Sequence, residues 1–328
     1  MAKILVTGGA GYIGSFMVRH LEKKGFEVVI ADNLSCGHKE AAKDFRLEII
    51  DLATEKEKLD LLFEKERFAG VIHMAGFIQM GESFKNPSKY FQNNLMAALN
   101  VMDTMVKYHV SNFIFSSSAG VYGNPVGLPI KEDDPQNPLN PYGETKHMIE
   151  KFLRWYDKAY GLRFMAIRYF NAAGASLDGS LGEDHPDESH LIPLMIKAGL
   201  KHEKFTIYGN DYKTNDGTCI RDYIHVLDLV ETHEIALKKL LGGSQSNFYN
   251  AGVGRGYSNK EVVETVKKVT GLNINVEYGP RRKGDADSLY ASIEKIKKDF
   301  AWQPKYDLEE IIRTAYNWHK NHPNGYQE

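Results

Sequence analysis

The chain has 328 residues, of which 42% are hydrophobic and 26% charged, and its formal net charge is −2. Such a composition is typical of a globular protein of one large or two smaller domains, and the near-neutral charge argues against nucleic acid as a partner. No apolar run approaches the ~18 residues that span a bilayer, and the N-terminus lacks a signal-peptide pattern, so no membrane partner is expected. Cys36 and Cys219 form neither a disulfide framework nor a metal-ligand spacing, which favours a reducing, cytoplasmic setting with both as small filler residues.

The N-terminal half alternates short β-rich runs with helical patterns. Strands are predicted at residues 3–8, 27–33, 47–50, 70–76, 112–118 and 163–170. Helices are predicted at 15–25, 54–67, 87–108 and 142–160. Because the strands are almost continuously apolar and alternate with helices, the pattern predicts an α/β fold in which a Rossmann-like, doubly wound parallel sheet has helices on both faces.

The pattern loosens after residue 171, where loops rich in Gly, Asp and Pro appear. Further strands are predicted at 205–209 and 247–252, and further helices at 226–241 and 308–320. We therefore expect a first domain over residues 1–171, to which later segments return, and a smaller mixed α/β domain over 172–328. The smaller domain should pack on the carboxyl edge of the sheet.

The strongest local motif is "GGAGYIG", from Gly8 to Gly14, which follows the first strand and opens the first helix. Gly8, Gly11 and Gly14 would let the backbone turn tightly and approach a pyrophosphate, whose charge would lie at the helix N-terminus. The alternative is a glycine-rich turn without a ligand. Asp32 ends the second strand, where a carboxylate would accept hydrogen bonds from a ribose diol and repel a 2′-phosphate, so the sequence favours NAD over NADP.

Three further segments could meet the same dinucleotide. Asp51 and Leu52, after the third strand, are placed either to meet the adenine or to cap the next helix. The segment 74–76, "MAG", has small residues that would let the chain run beside the cofactor. Asn93 lies on the long following helix, where an inward-facing amide needs hydrogen-bond partners.

The fifth strand ends in "SSS", Ser116 to Ser118, and the next helix opens with "PYGETK". Ligands bind outside the carboxyl ends of parallel strands, so a serine there can contact a substrate hydroxyl, although serines also simply close a strand. Tyr142 and Lys146 are four residues apart and share one helix face. The order of the motifs along the chain is specific: a dinucleotide-binding domain, then a serine at a strand end, then Tyr-x-x-x-Lys on the next helix. This order favours a catalytic role for the tyrosine and the lysine.

These motifs resemble those of the extended short-chain dehydrogenases/reductases, and the chain is most similar to the UDP-glucose 4-epimerase family among them. The resemblance runs nearly end to end, through "ILVTGGAGYIGS", "DNLS", "VIHMAG", "FIFSSSA", "PYGETK", "RYFNAAGA", "GEDH", "IRDYIHV" and "RR-GD". The glycine motif and Tyr-x-x-x-Lys are shared by the whole superfamily. "GNDYKTNDGTCIRDYIHV", residues 209–226, is the most specific stretch.

The resemblance implies interconversion of UDP-galactose and UDP-glucose by transient NAD-dependent oxidation at C4 and return of the hydride to the opposite face. Tyr142 would be the base for the sugar 4-hydroxyl, Lys146 would supply positive charge and hold the nicotinamide ribose, and Ser118 would orient the hydroxyl and relay its proton. The first domain would bind NAD and the second mainly the nucleotide sugar. A homodimer through helices 87–108 and 142–160 is also typical of the family.

The same resemblance extends the expected contacts of both ligands. The expected cofactor contacts are Gly8, Gly11, Tyr12, Ile13, Gly14, Asp32, Asn33, Ser35, Gly37, Asp51, Leu52, Met74, Ala75, Gly76, Asn93, Ser116, Tyr142, Lys146, Tyr169 and Phe170. The expected substrate contacts are Ser118, Asn171, His190, Leu191, Thr206, Ile207, Tyr208, Arg221, Tyr223, Arg282, Asp285 and Leu289. Arg221 and Arg282 match diphosphate ligands, because the guanidinium fork suits phosphate oxygens, although both could be ordinary surface arginines.

Several positions depart from the family pattern. Gly120 stands where a threonine is common, and Ile78 replaces a lysine often found beside the cofactor. Leu289 is intermediate at a position where tyrosine excludes a 2-acetamido group, so we expect measurable activity on UDP-N-acetylglucosamine. His185 and His190 lie among acidic residues, but an acidic loop is usually solvated and the spacing does not repeat, so no metal is expected.

Other functions remain open at this point. A nucleotide-sugar 4,6-dehydratase would share the tyrosine and lysine but needs an acidic pair just after Ser118, where this chain has Ala119 and Gly120. A 4-epimerase of a uronate or pentose nucleotide sugar is compatible with the same residues. A non-catalytic NAD-sensing protein could also use this fold, since a fold does not determine a function.

Overall fold

The computed structural model describes residues 1–282 and 284–327. Its strands are β1 (Lys3–Thr7), β2 (Glu27–Asp32), β3 (Arg46–Ile49), β4 (Gly70–His73), β5 (Asn112–Ser118), β6 (Arg163–Tyr169), β7 (Asn171–Ala173), β8 (Lys204–Tyr208), β9 (Ile220–Arg221), β10 (Tyr223–His225), β11 (Asn247–Ala251), β12 (Tyr257–Ser258), β13 (Asn275–Gly279) and β14 (Ser288–Leu289). Its helices are α1 (Tyr12–Lys23), α2 (Lys56–Lys65), α3 (Met80–Lys85), α4 (Pro87–Tyr90), α5 (Met96–Lys107), α6 (Pro141–Tyr160), α7 (Leu191–Leu200), α8 (Val226–Leu241), α9 (Asn259–Thr270), α10 (Glu294–Phe300) and α11 (Leu308–Asn321).

A seven-stranded parallel sheet in the order β11-β6-β5-β4-β1-β2-β3 forms the centre of the molecule. Leu5 of β1 pairs with Val29 of β2 on one side and with Val71 of β4 on the other. The chain direction across the sheet reverses between β1 and β4, and in open α/β sheets ligands bind beyond such a switch point. The predicted Rossmann-like sheet is therefore confirmed.

Side chains alternate between the two faces of the sheet, because successive residues of a strand point in opposite directions. Ile4 and Val6 of β1 pack against α1 and α8 on one face. Leu5 lies in the other apolar cluster, with Val101 of α5 and Leu153 of α6. Both faces are covered, which explains why the strands read as continuous apolar runs.

The remaining elements lie mostly towards the C-terminus and share a third apolar cluster. Helices α7, α9 and α11 pack together with the parallel pair β8–β13, and the cluster includes Ile196, Phe205, Val266 and Ile312. Ser258 and Glu261 form a capping box at the start of α9, which satisfies two backbone N–H groups. β11, in contrast, returns to the edge of the large sheet beside β6.

Most predicted elements agree with the structure to within a few residues. The first helix starts at Tyr12 rather than at residue 15, and the strand predicted at 70–76 ends at His73. The helix predicted at 87–108 contains a π-helical turn, Phe91–Leu95, between α4 and α5. Among the described residues, no helix has both the length and the apolar character needed to cross a membrane.

Candidate functional site

A cavity of about 1080 Å³ opens at the carboxyl edge of the central sheet. Its size exceeds the roughly 300–1,000 Å³ of most small-molecule pockets, so it can hold a cofactor and a substrate together. The cavity wall contains every predicted contact of both ligands except Lys146 and Ile207. The predicted departures Ile78 and Gly120 line it as well.

The glycine motif forms a cradle that suits a dinucleotide pyrophosphate. A Cβ atom on Gly14 would lie 2.0 Å from the Gly8 oxygen, so only glycine lets the helix pack against this turn. A Cβ on Gly11 would meet only the Gly8 oxygen, at 3.5 Å, so this side of the turn is open. Gly11 cannot cap α1 with a side chain, and none of the described residues in its first turn is acidic. The N-terminal N–H groups of α1 are thus available to an anion, and NAD fits the site.

A carboxylate at the end of β2, that of Asp32, lies next to the glycine motif. Asp32 is 8% exposed, and its carboxylate accepts hydrogen bonds from the backbone N–H groups of Ala10 (3.0 Å) and Leu34 (2.8 Å). Burial raises the pKa of Asp32, and these backbone N–H groups oppose the shift. The fixed carboxylate lies in the cavity wall, where a ribose diol could donate to its free lone pairs.

Asp51 and Leu52 also line the cavity, as the adenine hypothesis requires. Asp51 does not cap the next helix, because α2 begins only after Glu55. Asp51 instead caps the turn before it, where its Oδ1 accepts from Ala53 N (2.9 Å). Asn33 donates to Asp51 Oδ2 at 3.2 Å, which joins the ends of β2 and β3.

The three strand-end serines have different environments. Ser116 lines the cavity, but its Oγ lies 2.9 Å from His233 Nε2, and Ser117 Oγ donates to Glu150 at 2.6 Å away from the cavity wall, so both hydroxyls already have partners. Ser118 caps the short 3₁₀ turn that follows, accepting from Gly120 N at 3.0 Å, and lines the cavity. Among the three, Ser118 is the serine whose hydroxyl can still donate to a substrate.

Tyr142 reaches the cavity from the first turn of α6. This helix begins with Asn140 as its N-cap, which accepts from Gly143 N at 2.8 Å, followed by Pro141 at the first helical position. Burial raises the pKa of Tyr142, and hydrogen bonding with Ser118 lowers it. The protein residues around Tyr142, without a bound cofactor, therefore favour its protonated phenol.

Lys146 is 3% exposed and lies beneath the cavity wall. Its Nζ donates to the Ser116 carbonyl at 2.8 Å and lies 5.9 Å from the centre of the Tyr142 ring. Burial lowers the pKa of Lys146 to about 8, while Glu150 acts in the opposite direction. Glu150 is held by Arg168 in a buried, bidentate ion pair with distances of 2.9 and 2.7 Å. The Ser116 carbonyl thus fixes the ammonium group of Lys146, and the Glu150–Arg168 pair acts on it only through its charge.

The far end of the cavity contains the two predicted arginines. Arg221 Nη1 donates to the Ile220 carbonyl, and Nη2 lies 3.6 Å from Asp285. Arg282 stacks on the Tyr208 ring, with 4.3 Å between the guanidinium carbon and the ring centre. Both guanidiniums line the same cavity as the glycine motif, so neither is an ordinary surface arginine.

The remaining predicted contacts lie between these two ends. Asn171 pairs with Tyr223 across β7 and β10, and Leu289 pairs with Arg221 across β14 and β9. Tyr169 ends β6, where burial raises the pKa of its hydroxyl. The cavity therefore runs from the glycine motif, past Ser118 and Tyr142, to the arginines.

One predicted contact is wrong for its side chain. Ile207 is 1% exposed and packs in the apolar cluster of the C-terminal part, whereas its neighbours Thr206 and Tyr208 line the cavity. The reason is the two-residue period of β8, which turns alternate side chains to opposite faces. The filler role of Cys36 is also wrong, because this residue is exposed in the cavity wall, while Cys219 is buried.

The expectation of a solvated acidic loop between β7 and α7 is wrong as well. Glu183 is 4% exposed, and the Glu188 side chain is 6% exposed. These carboxylates surround His190 and raise its pKa to about 10, against the effect of burial. The C-terminal segment buries the loop: Tyr326 N donates to Asp184 at 3.0 Å. Such a contact between distant parts of the chain leaves no local signal in the sequence.

The sequence-based expectations did not include two residues that shape the site, Asn94 and Lys89. Asn94, not Asn93, is the buried amide: its Oδ1 accepts from Phe77 N (2.9 Å), and its Nδ2 donates to Phe77 O (3.1 Å) and to Thr145 Oγ1 (3.2 Å). It ties the segment after β4 to α6. Lys89 lines the cavity with Nζ 4.1 Å from the Phe77 ring centre, and its position just after the Pro87 helix start gave no functional signal.

Comparisons with known proteins agree with this geometry. Residues 4–252 match the model of the NAD dependent epimerase/dehydratase family. The chain is 46% identical to the UDP-glucose 4-epimerase of Lactobacillus helveticus over 332 residues, with 99% of each chain covered.

Solved structures give the same result. The Bifidobacterium longum UDP-glucose 4-epimerase in complex with NAD⁺ and UDP is 34% identical, with a TM-score of 0.94 and coverage of 99% of this chain and 100% of that one. The UDP-Glc/GlcNAc 4-epimerase of Campylobacter jejuni is 42% identical, with a TM-score of 0.85 and coverage of 98% and 100%. The chain therefore belongs to the NAD dependent epimerase/dehydratase family, among the UDP-glucose 4-epimerases.

Proposed function

We propose that this protein interconverts UDP-galactose and UDP-glucose with NAD as a tightly held cofactor. The observation that carries the proposal is the single cavity that joins the glycine motif to Arg221 and Arg282, with Tyr142 and Ser118 between them. A dinucleotide fits the first end, and a diphosphate with two negative charges fits the second. The relatives named UDP-glucose 4-epimerase, and one such structure with NAD⁺ and UDP, support the same assignment.

Each end of the cavity has a binding task. The N-terminus of α1 would hold the pyrophosphate of NAD, and Asp32 would accept from its adenosine ribose, since both line the cavity. Arg221 and Arg282 hold the UDP diphosphate, and Asp285 and Tyr223 contact the nucleoside. Binding both ligands in one enclosed space brings the sugar C4 to the nicotinamide and excludes water.

The proton chemistry belongs to Tyr142 and Ser118. Bound NAD would supply the hydride chemistry at C4 and a positive charge near the phenol of Tyr142. Tyr142 takes the proton of the 4-hydroxyl and later gives it back, and Ser118 orients that hydroxyl and relays the proton. Because burial raises the pKa of Tyr142, the phenolate depends on positive charge from Lys146 and the cofactor ring.

The test is the substitution Tyr142→Phe. We expect interconversion of the two UDP-hexoses to fall by at least about 100-fold, because a general base contributes roughly 10²–10⁴. Purified Tyr142→Phe protein should keep its NAD, since an aromatic ring stays at this position and the other cofactor contacts remain. If the wild-type protein turns over neither UDP-hexose, this proposal fails, and turnover of no nucleotide sugar at all would leave a non-catalytic NAD-binding role in its place.

We propose UDP-N-acetylglucosamine as a second substrate. Leu289 lines the cavity and pairs directly with Arg221, so its side chain lies near the sugar end of the bound nucleotide. Leucine is smaller than the tyrosine that excludes a 2-acetamido group. A structural neighbour described as a UDP-Glc/GlcNAc 4-epimerase supports this choice.

We also propose a cytoplasmic homodimer. Helices α5 and α6 lie side by side, with the Tyr156 hydroxyl donating to Asp103 at 2.6 Å. They expose Met96 (44%) and Trp155 (66%), the large apolar side chains that an interface would cover. Light scattering of the purified protein tests the dimer.

The division near residue 171 separates an NAD-binding part from a mainly sugar-nucleotide-binding part.

A further inference from the structure

Four potential metal ligands converge in the loop between β7 and α7. They are Glu183, His185, Glu188 and His190, and one ligand atom from each lies within 4.8 Å of all the others. Two imidazole nitrogens and two carboxylate oxygens form a donor set that suits a divalent transition metal. The cluster lies in the wall of the large cavity, which gives an ion a path to it.

Two of the distances between these atoms already fit tetrahedral coordination. His185 Nδ1 lies 3.4 Å from Glu183 Oε1 and 3.4 Å from Glu188 Oε2. For metal–ligand bonds of about 2.0–2.1 Å, the edge of a tetrahedron is roughly 3.3–3.4 Å. His190 Nδ1 lies 2.6 Å from Glu183 Oε1 and 3.3 Å from Glu188 Oε1, which is not the oxygen that faces His185, so the His190 ring has to shift to complete the site.

A buried ion pair holds two of the four residues together. Glu183 is 4% exposed, and its Oε1 atom lies 2.6 Å from His190 Nδ1. Metal ligands have to be deprotonated, so a divalent cation would take the place of the proton on His190 and bind both atoms.

The surroundings hold the ligands in place. Glu188 Oε1 accepts from the backbone N–H groups of Ser189 (2.8 Å) and His190 (2.9 Å), which leaves Oε2 directed at His185. The ring of Tyr12, in the first turn of α1, packs edge-on against His185 with 6.3 Å between ring centres. Outer contacts of this kind fix the orientation of metal ligands.

We propose that Glu183, His185, Glu188 and His190 bind one Zn²⁺ ion. The ion clamps the loop from which α7 and Leu191 emerge, and through the Tyr12 contact it links the sugar side of the cavity to the glycine motif. It is a structural ion, remote from the proton transfer by Tyr142. The proposal does not depend on the sugar that the protein uses.

The test is zinc binding by untagged protein that has been dialysed against a chelator and still holds its NAD. Calorimetric titration with ZnCl₂ should show one saturable site per chain, and X-ray absorption should show two nitrogens and two oxygens at about 2.0–2.2 Å without sulfur. The absence of sulfur distinguishes the site from adventitious binding at exposed Cys36.

Glu188→Gln keeps an oxygen for the two backbone N–H groups but replaces the ligand oxygen with an amide nitrogen. Its zinc affinity should fall by at least about 10-fold, the loss that even outer-shell changes cause. Asp187→Asn is the matched control, because it removes the same charge from an exposed neighbour outside the cluster and should bind zinc like the wild type. Equal affinities of the two variants, or no saturable binding by the wild type, would overturn the proposal and leave a protonated His190 between two carboxylates.

Discussion

Replacing Asn94 with alanine tests how the segment after β4 is held at the cavity. The Asn94 side chain is 2% exposed and makes three hydrogen bonds, two to the backbone of Phe77 and one to Thr145. Thr145 retains its bond to the Tyr142 carbonyl, so the loss falls mainly on the N–H and C=O of Phe77. Each unsatisfied buried group costs about 1–3 kcal/mol, and water reaches the half-buried Phe77, so we expect a total near 2–3 kcal/mol.

The measurement is urea unfolding of the Asn94→Ala and wild-type proteins, followed by circular dichroism. Asn93→Ala is the control: Asn93 is half-buried, and among the described residues its side chain donates to Asn94 alone, so its loss should cost less than about 1 kcal/mol. Asn94→Ala protein should also lose NAD faster during gel filtration, because Gly76 and Phe77 line the cofactor end of the cavity. A change below about 0.5 kcal/mol in unfolding free energy for Asn94→Ala would refute this reasoning.

Three further predictions use other parts of the site. Lys89 is the cation that lines the cavity near the uncharged Ile78, so Lys89→Met should weaken NAD retention by roughly 10-fold, measured from cofactor content after dialysis; unchanged content would assign no role to this charge. Leu289→Tyr should abolish UDP-N-acetylglucosamine turnover while UDP-galactose turnover persists, and parallel loss of both would contradict a size filter. Burial lowers the pKa of His225 from 6.5 to about 4, so the folded state disfavours protonation and stability is lost as pH falls from about 6.5 towards 4. The stability advantage of wild type over His225→Asn, which keeps an N-cap acceptor for α8, should therefore shrink by about 2.5 kcal/mol between pH 7 and pH 4.5 in urea titrations; a constant difference would mean that His225 titrates normally.

Local patterns were sufficient for the sheet, while the family resemblance supplied most of the residues of the cavity wall. The glycine motif, the strand-end serines and Tyr142 could be predicted because each follows directly from a strand end or a helix start. Asn93 lines the cavity, whereas its buried neighbour Asn94 could not be foreseen, because both lie in a π-helical turn, Phe91–Leu95, that departs from the regular helix of the pattern. Ile207 could have been excluded from the sequence, since alternation in β8 puts it opposite Thr206 and Tyr208.

Other features depend on contacts between distant segments. Glu183 is buried because the loop that carries it packs beneath the C-terminal segment around Tyr326, more than a hundred residues away. The hydroxyls of Ser116 and Ser117 have His233 and Glu150 as their partners, and these two residues lie on two different helices. Neither partner could be assigned from spacing, because the packing of the helices on the sheet decides which side chains meet.

The return of β11 to the large sheet has a consequence for synthesis of the chain. Helix α8 covers one face of β5 and β6, and β11 pairs along the outer edge of β6, yet both elements follow residue 225. A ribosome that has made only the first 171 residues has released a sheet with one apolar face partly bare and an unpaired edge at β6. Because such surfaces attract other unfolded chains, the nascent protein is most prone to aggregate during the translation of residues 172–251. Completion of the central sheet thus waits until residues 226–251 have been made.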